Sequence, residues 1–217
     1  MPELPEVETI RRELSRLLLR TRIAAVTVRL PKMVKLPLRR FRRAVIGARI
    51  ERVHRRAKLL LLDLSSGWTV IIHLKMSGQL IWQPRRGRLT VGGHPIPGGI
   101  VDLPNKYSHV FWLTNAGTLY FNDQRQFGFV KLVLTKDLER WLEDQGYGPE
   151  PLADDFTLSV FEDILKRHAA KRLKPALLDQ TVVAGMGNIY ADESCHYARL
   201  RPNRRIGTLR AEDRQRL

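Results

Sequence analysis

The chain opens Met1-Pro2-Glu3, and these residue types at a chain end can do covalent chemistry. A small residue after the initiator methionine allows removal of that methionine, which leaves the secondary amine of Pro2 exposed as the new terminus. An α-amine with a reference pKa of about 7.7 to 8.0 is partly neutral near pH 7, and its attack on an aldehydic or glycosidic carbon gives a covalent iminium intermediate. Glu3, the next residue, is suited to carry protons. A plainer account stays open on these residues alone: an ordinary start in which Glu3, Glu6 and Glu8 complement the positive end of a first helix.

Such groups need elements to hold them. Val7, Ile10, Leu14, Leu17 and Leu18 recur at helical spacing, with Pro5 suited to a first turn, so residues 5–19 are predicted to form an amphipathic helix. From Ile23 to Leu134 the pattern changes to short β-rich runs (IAAVTV, ARIERV, KLLLLDL, WTVIIHL, HVFWL, TLYF, FVKLVL), several divided by turns such as SSG and NAG. That pattern predicts a β-sandwich or barrel. Residues 83–105 hold five Gly and four Pro and are expected to make a long flexible excursion outside the core. A short helix is expected near Asp137 to Asp144 and a linker at GYGPEPLADD, followed by helices over about 157–168, 173–180 and 188–199 and another starting near Thr208. The fold class expected is α+β: a β-sandwich domain over 1–134 with an amino-terminal helix, a connecting helix and linker over 135–150, and an all-α domain over 151–217.

Composition narrows the chemistry further. Hydrophobic residues make up 43% of 217, enough for a core, yet no window is apolar enough to predict a membrane span and the acidic opening is unlike a signal peptide. Cys195, the single cysteine, excludes an intrachain disulfide and a zinc site of several thiolates within these residues. Lys and Arg number 38 against 22 Asp and Glu, for a net charge of +16, which points to a polyanion such as nucleic acid. The excess is concentrated early: residues 1–145 carry 26 basic and 12 acidic residues, and 146–217 carry 12 and 10. Between Arg29 and Lys58 twelve basic residues accompany the single acid Glu51, to be read as a solvated face or as phosphate contacts.

Six blocks in order, MPELPEVETIRREL, RRAKLLLL, HLKMSG, DQRQFG, GPEPL and LLDQTVVAGMGNIYADES, closely resemble the formamidopyrimidine-DNA glycosylase family, which includes endonuclease VIII. The resemblance runs from the first residue to about Arg201. It implies a β-sandwich, a helix-two-turns-helix domain and a terminal zinc finger, and a bifunctional glycosylase and lyase that removes oxidised purines such as 8-oxoguanine and formamidopyrimidines. Carried over residue by residue, it makes Pro2 the Schiff-base nucleophile, Glu3 its acid/base partner and Lys58 the proton donor for strand cleavage, with Glu6 lining the site. Met76, Arg125 and Phe127 become the side chains that fill the void left by the extruded base, roles suited to an adaptable plug, a donor to the orphaned base and a kinking wedge. Asn188 is expected to cap the helix after VAGMGN and seat a phosphate, with Lys171, Arg172 and Lys174 as further candidates. The partner implied is damaged double-stranded DNA, bound by a monomer in the bacterial cytosol or nucleoid, with no membrane.

The chain also departs from the family pattern. DQRQFG has Gln126 where the family has a second arginine, HLKMSG has Lys75 in place of a glycine, and Tyr107 stands where the family has a DNA-contacting histidine. His109 matches a second histidine, and with His73 it is expected to be structural. No cofactor is expected in this chain, because the family's zinc needs a four-cysteine finger beyond Leu217, and the ending LRAEDRQRL is expected to be that of a fragment. Two other functions remain open at this point: an endonuclease VIII-like enzyme for oxidised pyrimidines, and a non-catalytic protein that binds damaged DNA.

Overall fold

The computed structural model describes residues 1–93 and 102–217, which form two compact units, Met1–Trp141 and Leu142–Leu217. In the first unit, helix α1 (Leu4–Leu18) starts at a reciprocal capping box between Glu3 and Glu6, with Pro5 in its first turn. Its buried stripe Leu4, Val7, Ile10, Leu14 and Leu18 realises the spacing seen in the sequence. Strands β1 (Ile23–Val28), β2 (Ile50–Arg56), β3 (Leu59–Leu64), β4 (Trp68–His73), β5 (Gly78–Pro84), β6 (Thr90–Gly93), β7 (Ser108–Thr114), β8 (Gly117–Asp123) and β9 (Phe129–Leu134) follow. They make two antiparallel sheets, ordered β1-β7-β8-β5-β6 and β2-β3-β4-β9. One core joins them, with Leu60, Leu62, Val70 and Ile72 of the smaller sheet clustered with Val110 and Phe121 of the larger and with Ile10 and Leu14 of α1. Burying each such side chain fully contributes about 1.5–3 kcal/mol.

Two elements depart from the sequence expectation. Helix α2 (Leu38–Val45) lies within the basic run, and its Phe41, Ala44 and Val45 enter the core. Its apolar period is masked in the sequence by Arg39, Arg40, Arg42 and Arg43. The excursion expected over 83–105 is partly sheet: residues 83–84 end β5, and β6 folds back on it in register, Trp82 opposite Thr90. Glycine makes that possible at Gly92, where a Cβ would stand 2.3 Å from the Ile10 side chain of α1. Residues 94–101 of the excursion lie outside the described residues.

The register brings three connections to one end of the sandwich. Leu59 pairs with His73 and His73 with Phe129, while Gly78 pairs with Asp123. Consequently the β2–β3 turn at Lys58, the β4–β5 turn at Met76 and the β8–β9 loop at Arg125 and Phe127 emerge together.

Helix α3 (Leu138–Glu143) spans the division between the units. The second unit holds α4 (Leu158–Arg167), capped by the Thr157 side chain, then α5 (Leu173–Leu178), α6 (Asn188–Tyr197) and α7 (Ala211–Arg216) around Leu165, Leu173, Leu177, Cys195 and Ile206. The fold class is thus α+β, as expected. No helix among the described residues is long and apolar enough to cross a membrane.

Candidate active site

Pro2 is buried in the full chain, where the sequence predicts an exposed amine, while Met1 before it is 38% exposed. Glu3 follows at 2% exposure, and its backbone N–H donates to the Glu6 carboxylate at 2.8 Å. Glu6 therefore fixes the backbone of Glu3, so its helix-capping function and its place beside the site are the same contact.

Lys58 lies in the two-residue turn between β2 and β3, after Ala57 at φ +50°. A chain of contacts that the sequence did not reveal ties this turn to α1. Glu8 of α1 accepts from Arg55 of β2 at 3.2 Å, and the same guanidinium donates to the Ala57 carbonyl at 2.9 Å. Burial opposes the charge on Glu8, but hydrogen bonds from Arg11, Arg12 and Arg55 outweigh it and hold its carboxyl at about 2. Because the folded value is depressed from 4.5, this carboxylate stabilises fully above pH 4.5, and that contribution disappears as pH falls towards 2. Glu8→Gln is accordingly expected to cost about 1–2 kcal/mol at pH 7 and to flatten the loss of stability between pH 4.5 and 2. Urea unfolding over that pH range checks it; parallel pH profiles for the two proteins would contradict it.

Lys58 is 8% exposed, and burial lowers its pKa, partly offset by the carboxylates of Glu3 and Glu6 and reinforced by the charge of Lys75. An ammonium that yields its proton more readily and lies within the field of two carboxylates is suited to proton transfer. Nearby His73 is driven down to about 3 by burial and by the charges of Lys75 and Lys58, so it stays neutral near pH 7. Its Nδ1 accepts from the Lys75 backbone N–H at 3.0 Å, a structural contact that shapes the turn.

That turn presents Met76, which is 41% exposed, and the β8–β9 loop presents Phe127 at 55%. Neither side chain is core packing. The Arg125 guanidinium stacks 5.0 Å from the Phe127 ring centroid, and the Tyr107 carbonyl accepts from Asp123 N–H at 3.0 Å, which places Tyr107 against the base of the same loop. Lys58, Met76 and Phe127 are each preceded by a non-glycine residue at positive φ: Ala57 at +50°, Lys75 at +53° and Gln126 at +58°. Such backbone costs on the order of 1 kcal/mol or more per residue and persists where surrounding contacts enforce it. Two of these residues, Lys75 and Gln126, are departures from the family pattern.

For the Lys75 and Gln126 loops Asp123 supplies the enforcing contacts, and sequence reasoning passed it over. It is fully buried, and its carboxylate accepts from the Ser77 hydroxyl, from Arg125 N–H at 3.2 Å and from Gly128 N–H at 2.7 Å. Ser77 in turn accepts from the same Arg125 N–H at 2.9 Å, and His109 donates to the Asp123 carbonyl at 2.8 Å. One acid thus joins the loops bearing Met76, Arg125 and Phe127. Gly128 must be glycine here, since a Cβ would come within 2.6 Å of Phe121. The signal was present: Asp123 and Ser77 both belong to the quoted blocks.

In the second unit Asn188 is the first residue of α6, not its cap; the cap is Gly187, in extended conformation. The correction follows from the turn, which the Gln180 side chain holds by donating to the carbonyls of Leu178 and Met186 and accepting from Gly185 N–H. The Asn188 side chain stays exposed, without a partner among the described residues, beside the first N–H groups of the helix. Lys171 is engaged by Asp179 at 2.8 Å, which holds that carboxyl at about 2, and Lys174 by Asp192. Arg172 is the cap residue of α5.

The residues present do not fit the four-thiolate zinc site of the resemblance. Cys195 is buried in α6, and no group of three or more His, Cys, Asp or Glu among the described residues could hold a metal.

Comparisons with known proteins identify the family. The family model described as the formamidopyrimidine-DNA glycosylase N-terminal domain matches residues 1–130, and the one described as the H2TH domain of the same enzyme matches residues 147–217. The formamidopyrimidine-DNA glycosylase of Pelotomaculum thermopropionicum is 42% identical, covering 100% of this chain and 74% of that protein; that of Streptococcus agalactiae is 40% identical, covering 94% and 69%. Among solved structures, the Lactococcus lactis enzyme in complex with DNA containing an abasic site is similar with a TM-score of 0.84 and 30% identity, covering 98% of this chain and 73% of that one. With two matched domains accounting for most of its length and relatives at about 40% identity, the chain belongs to the formamidopyrimidine-DNA glycosylase family.

Proposed function

We propose that this protein is a DNA glycosylase and lyase of base-excision repair, acting as a monomer on oxidised purines, 8-oxoguanine and formamidopyrimidines, in duplex DNA. Solved relatives bear on the substrate class: the Lactococcus lactis protein has been captured on DNA containing N7-benzyl-Fapy-dG, as a mutant on DNA containing Fapy-dG, and on abasic DNA, all in favour of this reading, and also on DNA containing an oxidised pyrimidine. The Pro2 nitrogen, once Met1 is removed, attacks C1′ of the extruded nucleotide, and the base departs with a proton that Glu3 is placed to manage. Breaking of the C1′–O4′ bond, with a proton from Glu3 to O4′, then opens the sugar and gives the iminium; this makes the C2′ proton acidic, and its loss expels the 3′ phosphate, with Lys58 as the proton donor for strand cleavage. Met76, Arg125 and Phe127 fill the duplex, Tyr107 borders them, and Asn188 with the α6 amino end receives a phosphate. Lys171 can join them only by exchanging Asp179 for phosphate. Acting on genomic DNA, it would work in the bacterial cytosol or nucleoid.

The observation that carries the reading is the convergence at one sheet end of the start of α1 with Glu3 and Glu6, a lysine of lowered pKa in the field of those two carboxylates, and three exposed side chains, Met76, Arg125 and Phe127. Borohydride trapping on an 8-oxoguanine duplex is expected to give an adduct that peptide mapping places on residue 2. An adduct on a lysine, or none, overturns the assignment. Faster excision from a thymine glycol duplex would shift the substrate to oxidised pyrimidines.

A further inference from the structure

The end of the sandwich remote from Lys58 carries a second concentration of positive charge that the lesion chemistry does not use. β3 leads from the Lys58 turn to Leu64, six residues or roughly 20 Å away. At that far end Arg49 exchanges hydrogen bonds with Ser65, the Ser66 hydroxyl donates to the Ala44 carbonyl of α2, and Arg40 of α2 stacks 5.2 Å from the Trp68 ring centroid. Arg20 N–H donates to the Ile50 carbonyl and Arg22 bridges to Arg49. The register therefore gathers Arg20, Arg22 and Arg49 with the α2 residues Arg39, Arg40, Arg42 and Arg43 at one pole.

All seven arginines are exposed, and among the described residues none makes a side-chain ion pair. The one acid lining the recess beside Arg20 and Arg49 is Glu51. Within α2 the arrangement works against the helix. Arg39 and Arg43 are like charges four residues apart, Arg39 with Arg42 and Arg40 with Arg43 are like charges three apart, and Arg39 and Arg40 occupy a first turn that holds no acid. A face serving only solubility would mix signs. Local cost without local compensation is the pattern of a surface built for a partner.

We infer that this arginine pole binds the phosphate backbone of a second duplex segment while the Lys58 end engages the first. Guanidinium groups bind phosphate in a bidentate manner, so contact made through these arginines to the backbone is independent of sequence. A duplex seated at the Lys58 end would have to bend sharply around the sandwich to reach α2, whereas a separate segment docks undeformed. A bilayer is the poorer fit, because the apolar face of α2 (Phe41, Ala44, Val45) is turned into the core. The inference rests on the glycosylase reading only for the nature of the first duplex.

The test uses the whole protein loaded on an immobilised undamaged duplex and offered a second, fluorescent duplex. Wild type is expected to capture the second duplex at low salt and release it as salt rises. The fourfold variant Arg39→Gln, Arg40→Gln, Arg42→Gln, Arg43→Gln is expected to lose about tenfold or more of that capture, and its slope of log affinity against log salt to flatten by roughly 3 to 4. Single-turnover cleavage of a short lesion duplex should be unchanged, and a fourfold Arg→Lys variant, which keeps charge and helix, should retain most capture. Failure of wild type to capture a second duplex, including the case where it binds vesicles of anionic phospholipid or polyglutamate through these arginines, overturns the proposal. So does equal capture by the Gln variant. Normal capture with no lesion cleavage in either protein would instead sink the glycosylase reading and leave this one standing.

Discussion

A protein that retains Met1, or whose mature Pro2 is acetylated, is expected to excise 8-oxoguanine on the order of 10³- to 10⁶-fold more slowly than the processed form. In the full chain the Pro2 nitrogen belongs to a peptide bond, with its lone pair delocalised, and Pro2 is buried. Processing restores a basic secondary amine at the position from which Glu3 and α1 begin. Affinity for undamaged duplex should change by less than about tenfold, since the basic surface is untouched. Pro2→Gly is expected to fall between the two forms, because it keeps an amine but loses the imino ring. The measurement is single-turnover excision with borohydride trapping, on preparations whose first residue has been determined by mass spectrometry. Wild-type rates from protein that keeps Met1 would remove Pro2 from the chemistry.

The second large effect belongs to Asp123. Asp123→Ala leaves the Gly128 N–H and the Ser77 hydroxyl without their acceptor inside a buried site, at about 1–3 kcal/mol each, and thermal melting of the first unit is expected to fall by roughly 6–12 °C. Excision should drop about 100-fold, the scale associated with displacing positioned groups by an ångström, because the Met76 turn and the Arg125–Phe127 loop lose their common anchor. Ser77→Ala should cost less, about 0.5–1.5 kcal/mol, and the double variant should show strong non-additivity. Differential scanning calorimetry and single-turnover kinetics on the same samples separate folding from positioning. Wild-type excision by a folded Asp123→Ala protein would show that the two loops hold their geometry without it.

Much of the architecture followed from local pattern. The stripe of α1, most strands and the helices of the second unit are visible as periodicity, since each buries one face and leaves that face's spacing in the chain. Elements whose pattern is overwritten were not visible. α2 is crowded with arginines, and β6 is a glycine-rich strand held by pairing and by the close approach of Ile10. Asn188 looked like a cap because its residue type favours one, but the turn fixed by Gln180 placed Gly187 there.

The residues carrying the proposed chemistry were legible by type and by ordered blocks: an amino-terminal proline, an adjacent acid, a lysine and three void-filling side chains. Sequence alone also set the excess of positive charge. Only the tertiary structure decided what holds these groups and where the charge goes. Glu8 and Arg55 meet across 47 positions and Ser77 and Asp123 across 46, and the arginines of α2 reach Arg20 and Arg49 only through pairing at the far sheet edge. Hydrogen bonds act over a few ångströms and carry no trace in local spacing, so contacts between residues distant along the chain come into being with the packed sheets.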